Sequence, residues 1–254
     1  MIHRIASAAL AAAGLWLTLP ASVEAATCRH QSPEVFVLTG EIDRALADCV
    51  ARLMGPATRE VILTSRGGSV TAALDIAERF EGRGLIMRVR DECNSSCANY
   101  FLPLASQLIV ERGAIIGLHG SIDPLLIDNA RARGDAVAAV NATQTAQRQM
   151  AFARRNGIPP GWLLYRLPGE TRSRGLDGDF AGETPETRMF IVEEAMARAC
   201  LPKVTIVPYQ ADLRDTVLRR ERQTRLHRSG IARSNDAICN AVSWDDFPPP
   251  QAVG

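Results

Sequence analysis

The stretch "CNSSC" at residues 93–97 places two serines between two cysteines and then runs into an apolar segment, "ANYFLPLA". Four chemistries fit that pattern: a metal knuckle, a redox pair, a disulfide-stapled loop, or a frame around a nucleophilic serine. Two further segments bear on the choice. Upstream, "LTSRGGSVTAALDIAERF" (63–80) passes from a strand-like run through Gly67 and Gly68 into a helical pattern. Adjacent glycines let a ligand approach the main chain and leave N–H groups free to hold an oxyanion or another anion. No lysine follows, so this is not a phosphate loop of the GxxxxGK type. Downstream, "AIIGLHGS" (114–121) ends an apolar run on His119. Of the four histidines, only this one closes a strand-like run inside the expected core. A histidine there titrates near neutrality and can serve as a general base. A serine between a strand and a buried helix presents its hydroxyl at a rigid corner, with the next backbone N–H facing the same point. Taken singly, the three features read as a tight turn, an N-cap serine and a packed core histidine.

Zinc needs about four ligands, usually in paired spacings, and Cys93 and Cys97 have no second pair close in sequence. A thioredoxin-like redox site is C-x-x-C, whereas "NSS" intervenes here. A structural disulfide is the reading these spacings favour. Two cysteines one turn apart on a regular helix are badly placed for the short Cβ separation of a disulfide. Cys93 is therefore expected off the helix, with the bridge holding the Ser95 turn. The chain has six cysteines, Cys28, Cys49, Cys93, Cys97, Cys200 and Cys239. Neighbours in sequence would pair as Cys28–Cys49, Cys93–Cys97 and Cys200–Cys239, one of many connectivities that six cysteines allow.

The N-terminus supports an oxidising destination. "MIHR" gives a basic start, "IASAALAAAGLWLTLP" an apolar run too short for a comfortable bilayer span, and "SVEA" a small-x-small cleavage pattern ending at Ala25. Residues 1–25 read as a signal peptide, and the mature chain is expected to be periplasmic or secreted. The 254 residues suffice for one medium domain with extensions, and a net charge of +1 gives no global field for nucleic acid or membrane.

The elements that must position these residues follow from periodicity. "EVFVLTG" (34–40), "REVILTS" (59–65), "LIMRV" (85–89), "QLIV" (107–110), "AIIGL" (114–118) and "KVTIVPY" (203–209) read as strands. Helical patterns cover 41–54, 70–84, 96–105, 134–157 and 212–228, another begins at "IPPGWLLYRL", and 189–200 is a strand and helix or one helix. Residues 168–187 carry loop composition, and the Pro-rich end reads as a tail. Strands alternating with helices define an α/β fold of βαβ units with a parallel sheet, wound by right-handed crossovers into a spiral.

The Gly-Gly turn, the serine heading a buried helix and the histidine at a following strand end together resemble the ClpP-like serine peptidases of the ClpP/crotonase superfamily. "TSRGGSVTAALDIAERF" is similar to the family's "SPGGSV" turn and helix. "CNSSCANYFLPLAS" is similar to the nucleophile segment of exported relatives, and "IIGLHGS" to the segment holding the general base. The resemblance spans about residues 34–210 and is concentrated in 60–121. It implies a ClpP/crotonase-like spiral with helices outside, Ser95 as nucleophile and His119 as base. Oxyanion N–H groups would come from Ser96 and the Gly67/Gly68 turn. It also implies that the segment after His119 forms a handle helix that builds a homo-oligomer.

The third residue departs from the pattern. The family's acid is expected close to Thr187 or Arg188, neither of which is acidic; Glu186 is adjacent, and Asp177 and Asp179 are further candidates. The Ser–Lys dyad of a related exported family does not suit a chain whose only lysine is Lys203. A crotonase-type acyl-CoA enzyme lacks its cofactor outside the cytoplasm, and the sequence shows no site for the CoA adenine. The domains expected are 26–210, ClpP-like, and 211–254, a charged helix and tail. The expected activity is that of an ATP-independent serine peptidase acting on peptides or unfolded protein. No metal, nucleotide, nucleic-acid or ATPase partner is expected. The alternative is a non-catalytic ClpP-like scaffold or peptide-binding protein without a complete triad.

Overall fold

Short runs rich in Val, Ile and Leu, closed by glycine or polar turns, pair into one sheet. The computed structural model describes residues 26–122, 124–164 and 190–210, with positions 216, 231–232, 239 and 243–247 beyond them. The expected signal peptide, the 168–187 loop with Asp177 and Asp179, Glu186 and, apart from position 216, the 212–228 helix lie outside the described residues. So do residues 248–254 of the expected Pro-rich tail.

The strands are β1 (Thr27–His30), β2 (Val35–Thr39), β3 (Glu60–Ser65), β4 (Ile86–Asn94), β5 (Gln107–Val110), β6 (Ile115–Leu118), β7 (Phe190–Val192), β8 (Thr205–Ile206) and β9 (Ile231–Ala232). They line up as β1-β2-β3-β4-β6-β7-β9, with β5 and β8 branching from β4. Pairs β2–β3, β3–β4, β4–β5, β4–β6, β5–β8 and β7–β9 are parallel; β1–β2 and β6–β7 are antiparallel. The fold is thus mixed α/β with a mostly parallel sheet, as expected. The antiparallel edge strand β1 was not legible, because "TCRH" lacks an apolar run.

The helices are α1 (Arg44–Leu53), α2 (Val70–Phe80), α3 (Ser96–Tyr100), α4 (Pro124–Ala132), α5 (Ala136–Asn156), α6 (Pro160–Leu164) and α7 (Glu194–Cys200). Asp43 accepts from Leu46 N–H and Ser69 from Ala72 N–H, which stops α1 and α2 at those N-caps. Ile42 therefore falls outside α1, although its spacing matched the helix. Instead it bridges to Gly68, with Ile42 N–H donating to Gly67 O at 2.8 Å and Ser69 N–H to Ile42 O at 2.7 Å. Those two bonds fix the Gly-Gly turn.

Strand β4 extends well past the expected 85–89. Its first half pairs with β5 and its second half, Glu92–Asn94, with Ile115–Gly117 of β6. Between Leu63 and Ser65 of β3 the register against β4 shifts from Val89 to Cys93. Such a bulge re-aims a strand end. The charged "RDE" at 90–92 hid this continuation, since period-2 apolar patterning stops at Val89. Cys93 consequently sits on a strand, off α3 as geometry required, but not in a loop.

The main core among the described residues fills the space between sheet and helices, with Phe36, Leu63, Leu74, Phe80, Tyr100, Phe101, Phe152 and Trp162 fully buried. Burial of each such side chain contributes roughly 1.5–3 kcal/mol. α3 is five residues long and wholly buried. So short a helix is unstable alone; it persists because Trp162 Nε1 donates to Ala98 O at 3.1 Å and Cys97 bonds back to Cys93. The C-terminal half of α5 is clamped to α2: Arg148 reaches Asp75 at 2.7 Å and Glu78 at 2.8 Å, and Arg155 reaches Glu81 at 2.8 Å. Its N-terminal half leaves Val137 exposed.

The disulfides are Cys28–Cys49, Cys93–Cys97 and Cys200–Cys239, the neighbour pairing. They fit an oxidising compartment. The last bridge ties Cys239 to the end of α7, and the β7–β9 pairing ties Ile231–Ala232 to the sheet.

Candidate active site

The parallel sheet delivers three chain segments to one point. β3 ends at Ser65 and turns through Gly67 and Gly68 into α2; β4 ends at Asn94 and turns through Ser95 into α3; β6 ends at Leu118, leaving His119 next in sequence. Ser95 Oγ lies 2.6 Å from His119 Nε2, across 24 residues of sequence. Ser96, by contrast, turns its hydroxyl away, donating to Gly68 O at 3.0 Å.

Ser95 is the only non-glycine described residue with positive φ, at φ 54° and ψ −127°. A side chain in such a region costs about 1–3 kcal/mol and persists only where the surroundings hold it. Three features hold it here. Ser95 N–H donates to Gly117 O at 2.8 Å, Ser95 O accepts from Asn99 N–H at 2.8 Å, and the Cys93–Cys97 bridge closes over it with Cα atoms 5.2 Å apart. Ser95 is partly exposed while Asn94, Ser96 and both cysteines are buried. The hydroxyl is thus presented at a sharp strand-to-helix corner.

The glycines meet this corner closely. A Cβ at Gly67 would lie 2.7 Å from both Asn94 O and Ser95 Cβ, and one at Gly68 would lie 2.3 Å from Ile42 O. Both residues have positive φ, 95° and 146°. Gly67 N–H is engaged, donating to Ser65 Oγ at 3.1 Å. Neither Gly68 N–H nor Ser96 N–H donates to any group among the described residues. These two unengaged donors belong to residues already joined by the Ser96–Gly68 hydrogen bond, and Ser96 directly follows Ser95. Gly68→Ala is expected to destabilise the protein by about 2–4 kcal/mol through overpacking and backbone strain. Chemical denaturation checks this; a change within about 0.5 kcal/mol, the range of an ordinary surface substitution, would contradict the tight packing.

A polar network braces the histidine's loop. Tyr100 OH and Ser121 Oγ, 2.5 Å apart, converge on Gln149 Oε1 of α5 at 2.7 and 2.9 Å, and Gln149 Nε2 donates to Ile122 O. Asn99 Nδ2 donates to Gly120 O at 3.3 Å. Burial pushes the Tyr100 phenol well above its ordinary value, so it stays a neutral donor. Sequence reading missed Tyr100, Ser121 and Gln149 as a unit. The only signal was their polarity on otherwise apolar faces. The side-chain oxygens of Asn94 and Asn99, on either side of Ser95 in sequence, are buried without a partner among the described residues.

Burial lowers the pKa of His119 below 6.5, and a hydrogen bond to its own backbone opposes that shift. A general base acts as the neutral imidazole. Lowering its pKa therefore extends the active form toward acid, and rate is lost only as pH falls through the depressed value. The acid limb of a kcat/KM–pH profile is expected to have its midpoint below 6.5. A midpoint above that would mean a carboxylate behind the imidazole outweighs burial, and Glu186→Gln should then bring it down.

Comparison with known proteins adds little detail. No protein-family model matches the chain, and no curated protein matches it. Among solved structures, a mutant ClpP1 from Listeria monocytogenes is similar at 13% identity and a TM-score of 0.38, over 73% of this chain and 95% of that one.

Proposed function

We propose that this chain is an exported serine hydrolase, an ATP-independent peptidase related to the ClpP-like family, acting on peptides or unfolded protein. The observation that carries it is the 2.6 Å approach of Ser95 Oγ to His119 Nε2 at a corner where Ser95 has φ 54°. The motif resemblance over residues 60–121 supports the same assignment.

His119 Nε2 takes the Ser95 proton as Oγ attacks the substrate carbonyl. The tetrahedral oxyanion is held by Gly68 N–H and Ser96 N–H, each worth on the order of 3 kcal/mol in the transition state. Gly67 shapes the turn by packing against Ser95. The imidazolium then gives its proton to the leaving amine, and a water repeats the cycle to release the acyl group. Glu186 is the carboxylate assigned to orient His119. The disulfides suit a periplasmic or secreted location after cleavage near Ala25. A homo-oligomer built through the α4–α5 region follows from the family resemblance.

An active-site-directed fluorophosphonate tests the reading. The folded, oxidised protein should be labelled on Ser95, as read by peptide mass mapping, and His119→Ala should abolish labelling. Absence of labelling in the wild type would leave the non-catalytic, peptide-binding scaffold as the better description.

A further inference from the structure

We propose that Arg66 is a specificity-determining residue that selects peptides bearing a carboxylate next to the bond held at Ser95. The proposal rests on the reading above only in that a peptide occupies the Ser95 corner, whether or not it is cleaved.

Arg66 immediately precedes the Gly67–Gly68 turn, and Gly67 packs against Ser95. Its side chain is 74% exposed, yet it is anchored, because Nε donates to Glu92 Oε1 at 3.1 Å. Glu92 is nearly buried, with its side chain 12% exposed. Its other oxygen, Oε2, accepts from Asn94 Nδ2 at 2.7 Å, one residue before the nucleophile. Both carboxylate oxygens are therefore occupied. The guanidinium has five N–H donors in a fixed fork. Among the described residues only Nε is used, which leaves the Nη1 and Nη2 donors to a ligand. A buried acid thus orients an exposed guanidinium whose unengaged edge suits one planar partner, a carboxylate bound bidentately. Pinning at Nε also lowers the rotamer freedom lost on binding.

Binding to the Ser95→Ala protein separates recognition from chemistry. The probes are fluorescein-labelled, C-terminally amidated decapeptides that differ only in carrying Glu or Gln at the central positions, read by fluorescence anisotropy at low salt. The Glu peptide is expected to bind about 10-fold more tightly, with the preference shrinking as salt rises. Arg66→Gln should reduce it to about 2-fold or less, and Arg66→Lys should retain part of it, since lysine keeps the charge without the fork. Removing Arg66 uncovers the charge of Glu92, so the Arg66→Gln/Glu92→Gln double variant must lose the preference too. A Gln peptide with a free C-terminus, compared with its amide, tells whether a terminal carboxylate is read at the same place. Equal affinity for Glu and Gln peptides, or a preference that survives Arg66→Gln, overturns the proposal. Failure of the catalytic reading shows separately, as absent fluorophosphonate labelling of the wild type.

Discussion

Ser95→Ala is expected to abolish hydrolysis and fluorophosphonate labelling while leaving the fold intact, and Ser95→Gly to do the same while stabilising the protein. The first effect is chemical. On the proposed mechanism the N–H groups of Gly68 and Ser96 would still meet the substrate carbonyl, but without Oγ nothing would attack it. Loss of the nucleophile in a serine–histidine system costs roughly 10⁴–10⁶ in kcat. The second effect is conformational. At φ 54° and ψ −127° a side chain is disfavoured, and relief of that strain should make the Gly variant about 1 kcal/mol more stable than the Ala variant. Greater chain freedom in the unfolded state offsets part of the gain. Denaturant midpoints of the two variants, measured beside residual hydrolysis, check both halves. If Ala and Gly are equally stable, the corner is not strained. If Ser95→Ala retains the wild-type rate, Ser95 is not the nucleophile.

Removing the Cys93–Cys97 bridge should damage activity far more than stability. In the chain-entropy picture a disulfide closing so short a loop, a separation of 4 residues, stabilises by about 2 kcal/mol, against about 4 kcal/mol for Cys200–Cys239 at a separation of 39. Yet the short bridge straddles Ser95, the proposed nucleophile. It joins the last paired turn of β4 to the first turn of α3, so its loss lets the corner relax toward an ordinary φ. A displacement of about 1 Å at a reacting atom can cost on the order of 100-fold. Cys93→Ala/Cys97→Ala is therefore expected to lower kcat/KM by about that factor, while the thermal midpoint falls by only a few degrees. Cys200→Ala/Cys239→Ala should show the opposite balance. Both bridges' alanine variants avoid burying new hydroxyls at sites that are nearly solvent-free. Unchanged turnover in the first variant would mean that the hydrogen bonds of Ser95 to Gly117 and Asn99 hold the corner without the bridge.

Much of this site was legible before folding was considered. Gly67 and Gly68 read as a main-chain approach point because only glycine tolerates their φ values and the contacts with Ser95 and Ile42. His119 read as a base because it was the one histidine closing an apolar run. The strand and helix alternation over residues 34–118 gave the mixed α/β fold, since apolar periodicity is local and survives in a single sequence. The neighbour pairing of cysteines matches the structure for a simpler reason in two of its bridges: Cys28 and Cys49 lie in β1 and α1, and Cys93 and Cys97 in β4 and α3, elements that pack against each other.

Other features lay beyond such reading because they depend on contacts distant in sequence. The continuation of β4 through "RDECN" follows from its change of partner from β5 to β6, and no pattern within those charged residues signals a ladder. Ile42 matched the helix period but was captured by Gly68, a tertiary contact that outweighs spacing. The resemblance pointed to Ser95, but the opposite aims of the two hydroxyls, Ser95 at His119 and Ser96 at Gly68 O, are a matter of tertiary geometry. The Tyr100–Ser121–Gln149 brace joins residues 21 to 49 positions apart. The sequence by itself determined which residue types were present for the proposed acyl-transfer chemistry and in what order. The tertiary structure decided which of two adjacent serines is aimed, which backbone donors are left open, and how a strained corner is held, because each depends on a distance across the fold that no local pattern records.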